Sequence, residues 1–292
     1  MAWGLVSFDP RPSTFDIPLP VTAPTVESLL FIGALSIFTV VIFGSLIGGM
    51  WHEGGKIRAK TFDLPELLVS LVLCGYFVAN IAASVIHSEK AAPEATLDQV
   101  LVGGALFVAI LVGVIGFLRF RGIDVIQATG LNRISIIGAV AIGLGLIAAA
   151  LPLLLCTSAM MQILYRQQVE EQELVTLFRE VTRESNSTGI GQIFFAGAIL
   201  APICEEFLFR GFFYVVFKRY IGATASALVI SALFAATHLN FAAFPSLFLL
   251  AICFTIAFES TGSLLVPITM HAIFNAGQLA FLYHITRTAI PA

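Results

Sequence analysis

Charged residues are scarce in this chain. Only 11% of its 292 residues are charged, whereas 58% are hydrophobic, and soluble domains usually carry about 25% charged residues. The formal net charge is only −3, and there is no basic stripe or nucleic-acid motif, so no nucleic-acid partner is predicted. The composition predicts an integral membrane protein.

Cysteine is scarce as well. The four cysteines are far apart, each in a hydrophobic run, and no two form a CxxC pair. This pattern predicts buried, reduced thiols and no disulfide framework. The sequence also predicts no cleavable signal peptide, because residues 1–25 contain several prolines and no cationic segment followed by an apolar one.

Long apolar runs dominate the rest of the sequence. A spanning helix needs about 20 mostly apolar residues, and eight runs reach or approach that length. The predicted fold is therefore all-α, a polytopic membrane protein with about eight transmembrane helices. All 292 residues are assigned to one membrane domain, whose polar motifs lie in the half from about 190 to 284. The predicted spans are Glu27–Met50, Pro65–Val85, Gln99–Leu118, Ile134–Thr157, Ile190–Phe217, Gly222–His238, Phe244–Glu259 and Ser263–His284.

The linker between the fourth and fifth spans, Ser158–Ser187, is the one long segment outside the apolar runs. Within it Leu174, Leu177, Phe178 and Val181 recur at helical spacing, and most charged residues take other faces. This pattern predicts an amphipathic helix at the membrane surface.

Basic residues are distributed unequally between the two sets of loops. If the N-terminus is outside, the cytoplasmic loops contain eight basic residues and the opposite side contains six. The positive-inside rule therefore favours an orientation with both termini outside. The eight residues are Lys56, Arg58, Lys60, Arg119, Arg121, Arg133, Lys218 and Arg219.

Two adjacent carboxylates and an arginine interrupt the fifth predicted span. Each ionisable side chain at bilayer depth costs at least about 2.5 to 3.5 kcal/mol, so such residues indicate a function. At about 100° per residue, Arg210 lies about 40° from Glu206 but about 140° from Glu205. The spacing predicts an ion pair between Glu206 and Arg210, with Glu205 on another face of the helix. Glu259, at the end of the seventh span, is interpreted as an interfacial cap or loop residue.

Further polar residues interrupt the last three spans. His238 follows Phe234 at a spacing of four residues, which places the phenyl ring beside the imidazole. His271 and Asn275 have the same spacing in the eighth span, so both can be directed at one point. A carboxylate, two imidazoles and an amide in lipid resemble a hydrolytic site more than a structural clamp.

The functional groups suggest a division of roles. Glu205 and His238 can hold a water molecule between two helices, and Glu205 can accept its proton as the water attacks a carbonyl carbon. His271 and Asn275 carry N–H groups of the type that stabilises the resulting oxyanion. The sequence therefore predicts hydrolysis of a carbonyl compound within the membrane.

Three motifs, EExxxR, FxxxH and HxxxN, follow one another in these spans. Together and in this order they resemble the motifs of the CAAX-processing and bacteriocin-immunity family of intramembrane proteases, which includes the prenyl-protein CAAX endopeptidases. The similar segment runs from about Gly191 to Gly277. The motif residues are Glu205, Glu206, Arg210, Phe234, His238, His271 and Asn275.

The resemblance implies an all-helical endopeptidase in which a glutamate and a histidine activate water without a metal or another cofactor. By position, Glu205 and His238 would activate the water, and His271 and Asn275 would stabilise the oxyanion. The implied partners are the lipid bilayer and a membrane-associated protein or peptide substrate, such as a lipidated CAAX protein. The supporting residues would be Glu206, Arg210 and Phe234.

Three other functions could use the same residues. A proton-coupled transporter, the main alternative, would use the buried Glu and His residues as a relay, but repeated halves and broken helices are not evident. A zinc protease would use Glu205, His238 and His271 as ligands, although there is no HExxH motif. A non-catalytic scaffold would not be expected to retain all three motifs.

Overall fold

The computed structural model describes residues 25–53, 55–86, 96–165 and 173–289. Every regular element in these ranges is helical, which confirms the all-α prediction. The physical reason is that lipid offers no hydrogen bonds, so each backbone N–H and C=O group must be bonded within its own segment. Residues 1–24, for which no signal peptide is predicted, lie outside the described residues.

The described part of the chain contains ten helices. Seven of them are long and apolar enough to cross a membrane: α1, α2, α3, α5, α7, α9 and α10. The helices are α1 (Val26–Glu53), α2 (Leu64–Ile86), α3 (Leu97–Phe120), α4 (Val125–Thr129), α5 (Ile136–Tyr165), α6 (Glu173–Arg183), α7 (Ser187–Ile221), α8 (Ala223–Ala236), α9 (Phe244–Thr261) and α10 (Leu265–Thr288).

Helix α8 corresponds to the sixth predicted span and is shorter than the others. Its 14 residues rise only about 21 Å, whereas the hydrocarbon core of a bilayer is about 30 Å thick. The chain therefore leaves α8 at membrane depth. Irregular backbone is tolerated there only where protein buries it or where it lines a cavity.

Helix α7 is the central element of the bundle. Its most apolar stretch is 61% buried, compared with 17% for each of α1, α2 and α3. Phe209 and Phe213 of α7 are fully buried, and their rings lie 5.8 and 6.1 Å from the ring of Phe77 in α2. The other helices thus enclose the element that carries the two adjacent carboxylates.

Helix α7 also changes its hydrogen-bonding pattern along its length. Its α-helical turns are interrupted by two π-helical segments, Ala196–Leu200 and Phe207–Tyr214. Between them lies one short α-helical segment, Ala201–Glu206. Wider π turns of this kind occur frequently at functional sites. The regular spacing of 100° per residue did not predict them.

The predicted amphipathic helix between the fourth and fifth spans is present as α6. Leu177, Phe178 and Val181 are buried and belong to one apolar cluster with Ile193 of α7 and Leu279 of α10. The apolar face of α6 thus packs on the bundle. Residues 166–172 of the linker lie outside the described residues.

Glu259, interpreted from the sequence as an interfacial cap or loop residue, lies in the last turn of α9 and is enclosed by protein. The side chain is 0% exposed, and its Oε1 accepts hydrogen bonds from the Tyr214 hydroxyl at 2.7 Å and from Nζ of Lys218. Its Oε2 lies 3.4 Å from the backbone nitrogen of Ile57, and its carbonyl oxygen accepts from the backbone of Lys56 at 3.1 Å. Glu259 therefore joins α9, α7 and the loop before α2, at the end of the bundle where the eight basic residues lie.

Candidate active site

Both adjacent carboxylates lie near the middle of α7. Glu205 is 2% exposed and Glu206 is 0% exposed. Oε1 of Glu206 accepts a hydrogen bond from Nη1 of Arg210 at 2.8 Å, so the predicted ion pair is present. It is present even though Arg210 belongs to a π-helical segment.

The guanidinium of Arg210 is fully enclosed by protein. Its Nη2 donates to the carbonyl oxygen of Ala251 at 3.1 Å. Its planar group lies 4.5 Å from the ring centroid of Phe234 and 5.2 Å from that of Phe254. Cation–π contacts of this kind stabilise a desolvated arginine. Phe254 and Ala251 lie in a mostly apolar stretch of α9, so no sequence signal distinguished them from neighbouring core residues.

His271 joins α10 to both carboxylates of α7. Its Nδ1 lies 2.9 Å from Oε1 of Glu206. Because an ionised carboxylate only accepts hydrogen bonds, Nδ1 carries the proton. Nε2 then faces Oε2 of Glu205 at 3.9 Å. This distance is too long for a direct hydrogen bond but allows one water molecule to contact both atoms. The contact with Glu206 was not predicted from the sequence.

His238 lies immediately beyond the short helix α8. Its Nδ1 is 2.9 Å from the carbonyl oxygen of Phe234, so this nitrogen carries the proton and Nε2 is an acceptor. The predicted ring contact is present, with the centroids of Phe234 and His238 at 5.0 Å. The ring of Phe234 also contacts that of His271, with the centroids at 5.8 Å, so both imidazoles lie beside one phenyl ring. The end of α8 thus places His238 in the same part of the bundle as His271.

The chain reverses sharply after His238. Leu239 has a φ of 54°, a left-handed conformation that non-glycine residues adopt rarely and that is often found at functional sites. Both Thr237 and Leu239 line a cavity. The irregular backbone between α8 and α9 therefore lies where membrane proteins tolerate it.

Asn275 lies one helical turn beyond His271 but makes a different contact. Its Nδ2 donates to the carbonyl oxygen of Gly197, in the first π-helical segment of α7, at 2.8 Å. In this structure the hydrogen bonds of His271 and Asn275 are directed to different atoms of α7. The shared helix face was predictable, but the partners were not.

A cavity of about 330 Å³ opens beside Glu205, between α7, α2 and α3. Its walls are mostly apolar, and polar side chains lie near the adjoining ends of α2 and α3. Of the predicted catalytic residues, Glu205 is the one that lines it. The polar side chains are those of Asn80, Ser84, Asp98 and Gln99.

The zinc-site hypothesis would require three of these side chains to converge on one ion. In the part of the chain that the structure describes, no group of three or more His, Cys, Asp or Glu side chains could hold a metal ion.

The comparisons with known proteins agree with the motif pattern. Residues 189–277 match a family model described as Rce1-like, type II CAAX prenyl endopeptidase. This segment contains all seven motif residues and corresponds to the predicted range of similarity. The comparisons with curated proteins and with solved structures gave no match. Segment 189–277 of this polytopic membrane protein is thus similar to the CAAX protease family described as Rce1-like.

Proposed function

We propose that this protein is an intramembrane endopeptidase that hydrolyses a peptide bond of a membrane-associated protein or peptide. One observation carries the proposal: Oε2 of Glu205 faces Nε2 of His271 at 3.9 Å, inside the bundle and at the edge of an apolar cavity. A buried carboxylate beside an imidazole suits general acid–base chemistry on a water molecule.

The proposed reaction begins at Glu205. Its carboxylate accepts a proton from a water molecule, while the water oxygen bonds to the carbonyl carbon of the substrate. His238 orients this water through Nε2, the nitrogen that its bond to Phe234 leaves as an acceptor. The carbonyl oxygen becomes an oxyanion. When the C–N bond breaks, the proton held by Glu205 passes to the leaving amine. This scheme needs no metal.

His271 and Asn275 are the proposed stabilisers of the oxyanion. Asn275 has two N–H groups on Nδ2, of which Gly197 binds one and the other can donate to the substrate. Nε2 of His271 can donate only when it is protonated, and the carboxylate of Glu206 at Nδ1 would balance the positive charge. Donors positioned before the reaction lower the barrier because they need no reorganisation.

The cavity and the family description support the proposed substrate class. The cavity beside Glu205 is mostly apolar and lies between α2 and α3. Such walls suit an apolar peptide segment or an attached lipid chain. The family description names prenyl substrates, so we include a lipidated CAAX-type protein among the proposed substrates. The end of the bundle that carries Lys56 and Lys218 would face the cytoplasm, with both termini outside.

A comparison of membranes tests the proposal. Membranes that contain the wild-type protein would be compared with membranes that contain Glu205→Gln, and proteins cleaved only in the former would be identified by mass spectrometry. Glu180→Gln is the matched control, because Glu180 is exposed on α6. We expect cleavage with the control and none with Glu205→Gln. Identical protein patterns in all three membranes would contradict the proposal.

A further inference from the structure

One carbonyl group of α7 receives no donor from its own helical turn. In the first π-helical segment, the N–H of Ala201 donates to the carbonyl of Ala196. The Ala201 N–H group is therefore bonded to the carbonyl five residues before it. It is not bonded to the carbonyl of Gly197, which lies four residues before it. The next candidate donor for Gly197, five residues ahead, is Pro202, which has no N–H group. The Gly197 carbonyl thus needs a partner from outside α7, since buried carbonyl groups are almost always paired.

Asn275 supplies this partner. Nδ2 of Asn275 is 2.8 Å from the Gly197 oxygen, and Gly197 is buried. The bond connects α10 with α7 at a point just before the segment that ends in Glu205 and Glu206. His271, four residues before Asn275, contacts Glu206 from the same helix. Two hydrogen bonds one turn apart therefore hold α10 against α7.

We infer that Pro202 and Gly197 are positioning residues of the proposed endopeptidase. Pro202 leaves the Gly197 carbonyl without a donor from α7, and this carbonyl then holds the amide of Asn275 in a fixed direction. The bond sets the register of α10 against α7 and thereby the distance between His271 and Glu205. The inference rests on the proposed function for its catalytic part, but the bond itself can be tested separately.

A simpler explanation of Pro202 is that proline is favoured in the first turn of a helical segment. Under that explanation, replacing Pro202 would not change the contribution of Asn275 to stability or to kcat. If Pro202 is a positioning residue, its replacement would reduce that contribution, because an alanine at this position has an N–H group that can reach the Gly197 carbonyl. The two explanations therefore differ in whether the effects of the two substitutions depend on each other.

A double-mutant cycle measures this dependence. It uses Pro202→Ala, Asn275→Ala and the double variant of the purified full-length protein in detergent. Pro152→Ala is the matched control, because Pro152 is also inside a spanning helix, α5. Asn275→Leu is a second variant of similar size without a donor. The first measurement is the melting temperature, which requires no activity. The second is kcat and KM on a substrate identified from the membrane comparison.

The expected results are as follows. Asn275→Ala lowers the melting temperature in the wild-type background and lowers it less beside Pro202→Ala. Pro202→Ala lowers kcat by about tenfold or more with little change in KM, and Asn275→Ala then costs less in kcat than it does alone, where a loss of about 10² to 10³ is expected. Pro152→Ala shows no dependence on Asn275.

Equal shifts of melting temperature in both backgrounds would overturn the inference that Pro202 and Asn275 act through the Gly197 carbonyl. Normal turnover of Pro202→Ala would overturn its positioning role. If the wild-type protein cleaves no substrate, the proposed function fails, but the melting temperatures still decide whether Pro202 and Asn275 act through one carbonyl.

Discussion

Nδ1 of His271 donates a hydrogen bond to Oε1 of Glu206 at 2.9 Å. The same oxygen accepts a hydrogen bond from Arg210 at 2.8 Å, so one buried carboxylate holds a cation of its own helix and an imidazole of another. Glu206 consequently does more than neutralise Arg210. It selects the tautomer of His271 and directs its other nitrogen towards Glu205.

Replacement of Glu206 tests this double role. Glu206→Ala leaves Arg210, which is 1% exposed, without its carboxylate, and uncompensated buried charges typically cost about 3–5 kcal/mol. We expect a lower folding yield and a lower melting temperature in detergent. Replacing Glu206 and Arg210 together by Leu removes the charge and should recover part of the loss. Normal yield with complete loss of proteolysis would instead indicate that the roles of Glu205 and Glu206 must be exchanged.

Replacement of Glu205 or His238 tests the activation of water. Glu205→Ala and His238→Ala should abolish proteolysis, because each removes a group that we propose contacts the attacking water. Both variants should remain folded, as judged by size-exclusion chromatography and melting temperature. Near-normal turnover of either variant would refute its assignment.

Replacement of His271 or Asn275 tests the stabilisation of the oxyanion. Removal of a donor of this kind typically lowers kcat by about 10² to 10³. We expect such a loss for His271→Ala and for Asn275→Ala, measured at saturating substrate. A change confined to KM would show that the side chain positions the substrate and does not act on the transition state.

Replacement of Glu259 tests a contact outside the candidate active site. Glu259→Ala removes the acceptor of the Tyr214 hydroxyl and of Lys218, so we expect a clearly lower melting temperature. Tyr214→Phe removes a single hydrogen bond to a charged group, which is worth about 1.5–3 kcal/mol, and should have the milder effect. The folded fraction of each variant should retain its kcat. A loss of kcat with an unchanged melting temperature would connect Glu259 to the site.

Removal of metal tests the mechanism independently of any substitution. We expect the purified protein to retain its activity after dialysis against a chelator, because the proposed steps use only side chains and water. Elemental analysis of the same sample provides the control. Stoichiometric zinc whose removal abolishes activity would contradict the metal-free mechanism.

The helices and the candidate site residues were predictable because their signals are local. A run of apolar residues must form a helix in lipid whatever surrounds it, so the eight predicted spans correspond to helices, the sixth of them short. Ionisable residues within such a run are conspicuous for the same reason. Contacts within one turn, such as Glu206 with Arg210 and Phe234 with His238, follow from helical spacing.

Contacts between helices were not predictable in this way. Glu206 and His271 are 65 residues apart, and Gly197 and Asn275 are 78 residues apart, so no local pattern relates them. They depend on how α10 packs against α7 and on the π turns of α7. The partners of Glu259 were not predictable for a related reason, because Tyr214 and Lys218 lie in another helix, more than 40 residues away in sequence.

The sequence by itself determined the class of protein, the number of apolar helices and the ionisable residues within the membrane-spanning segments, since these depend on hydrophobicity and spacing along the chain. Only the tertiary structure decided which carboxylate contacts which imidazole and how Asn275 is held. Those pairings arise when packed helices leave each buried polar group a small number of partners, and the burial of each group makes the pairing energetically necessary.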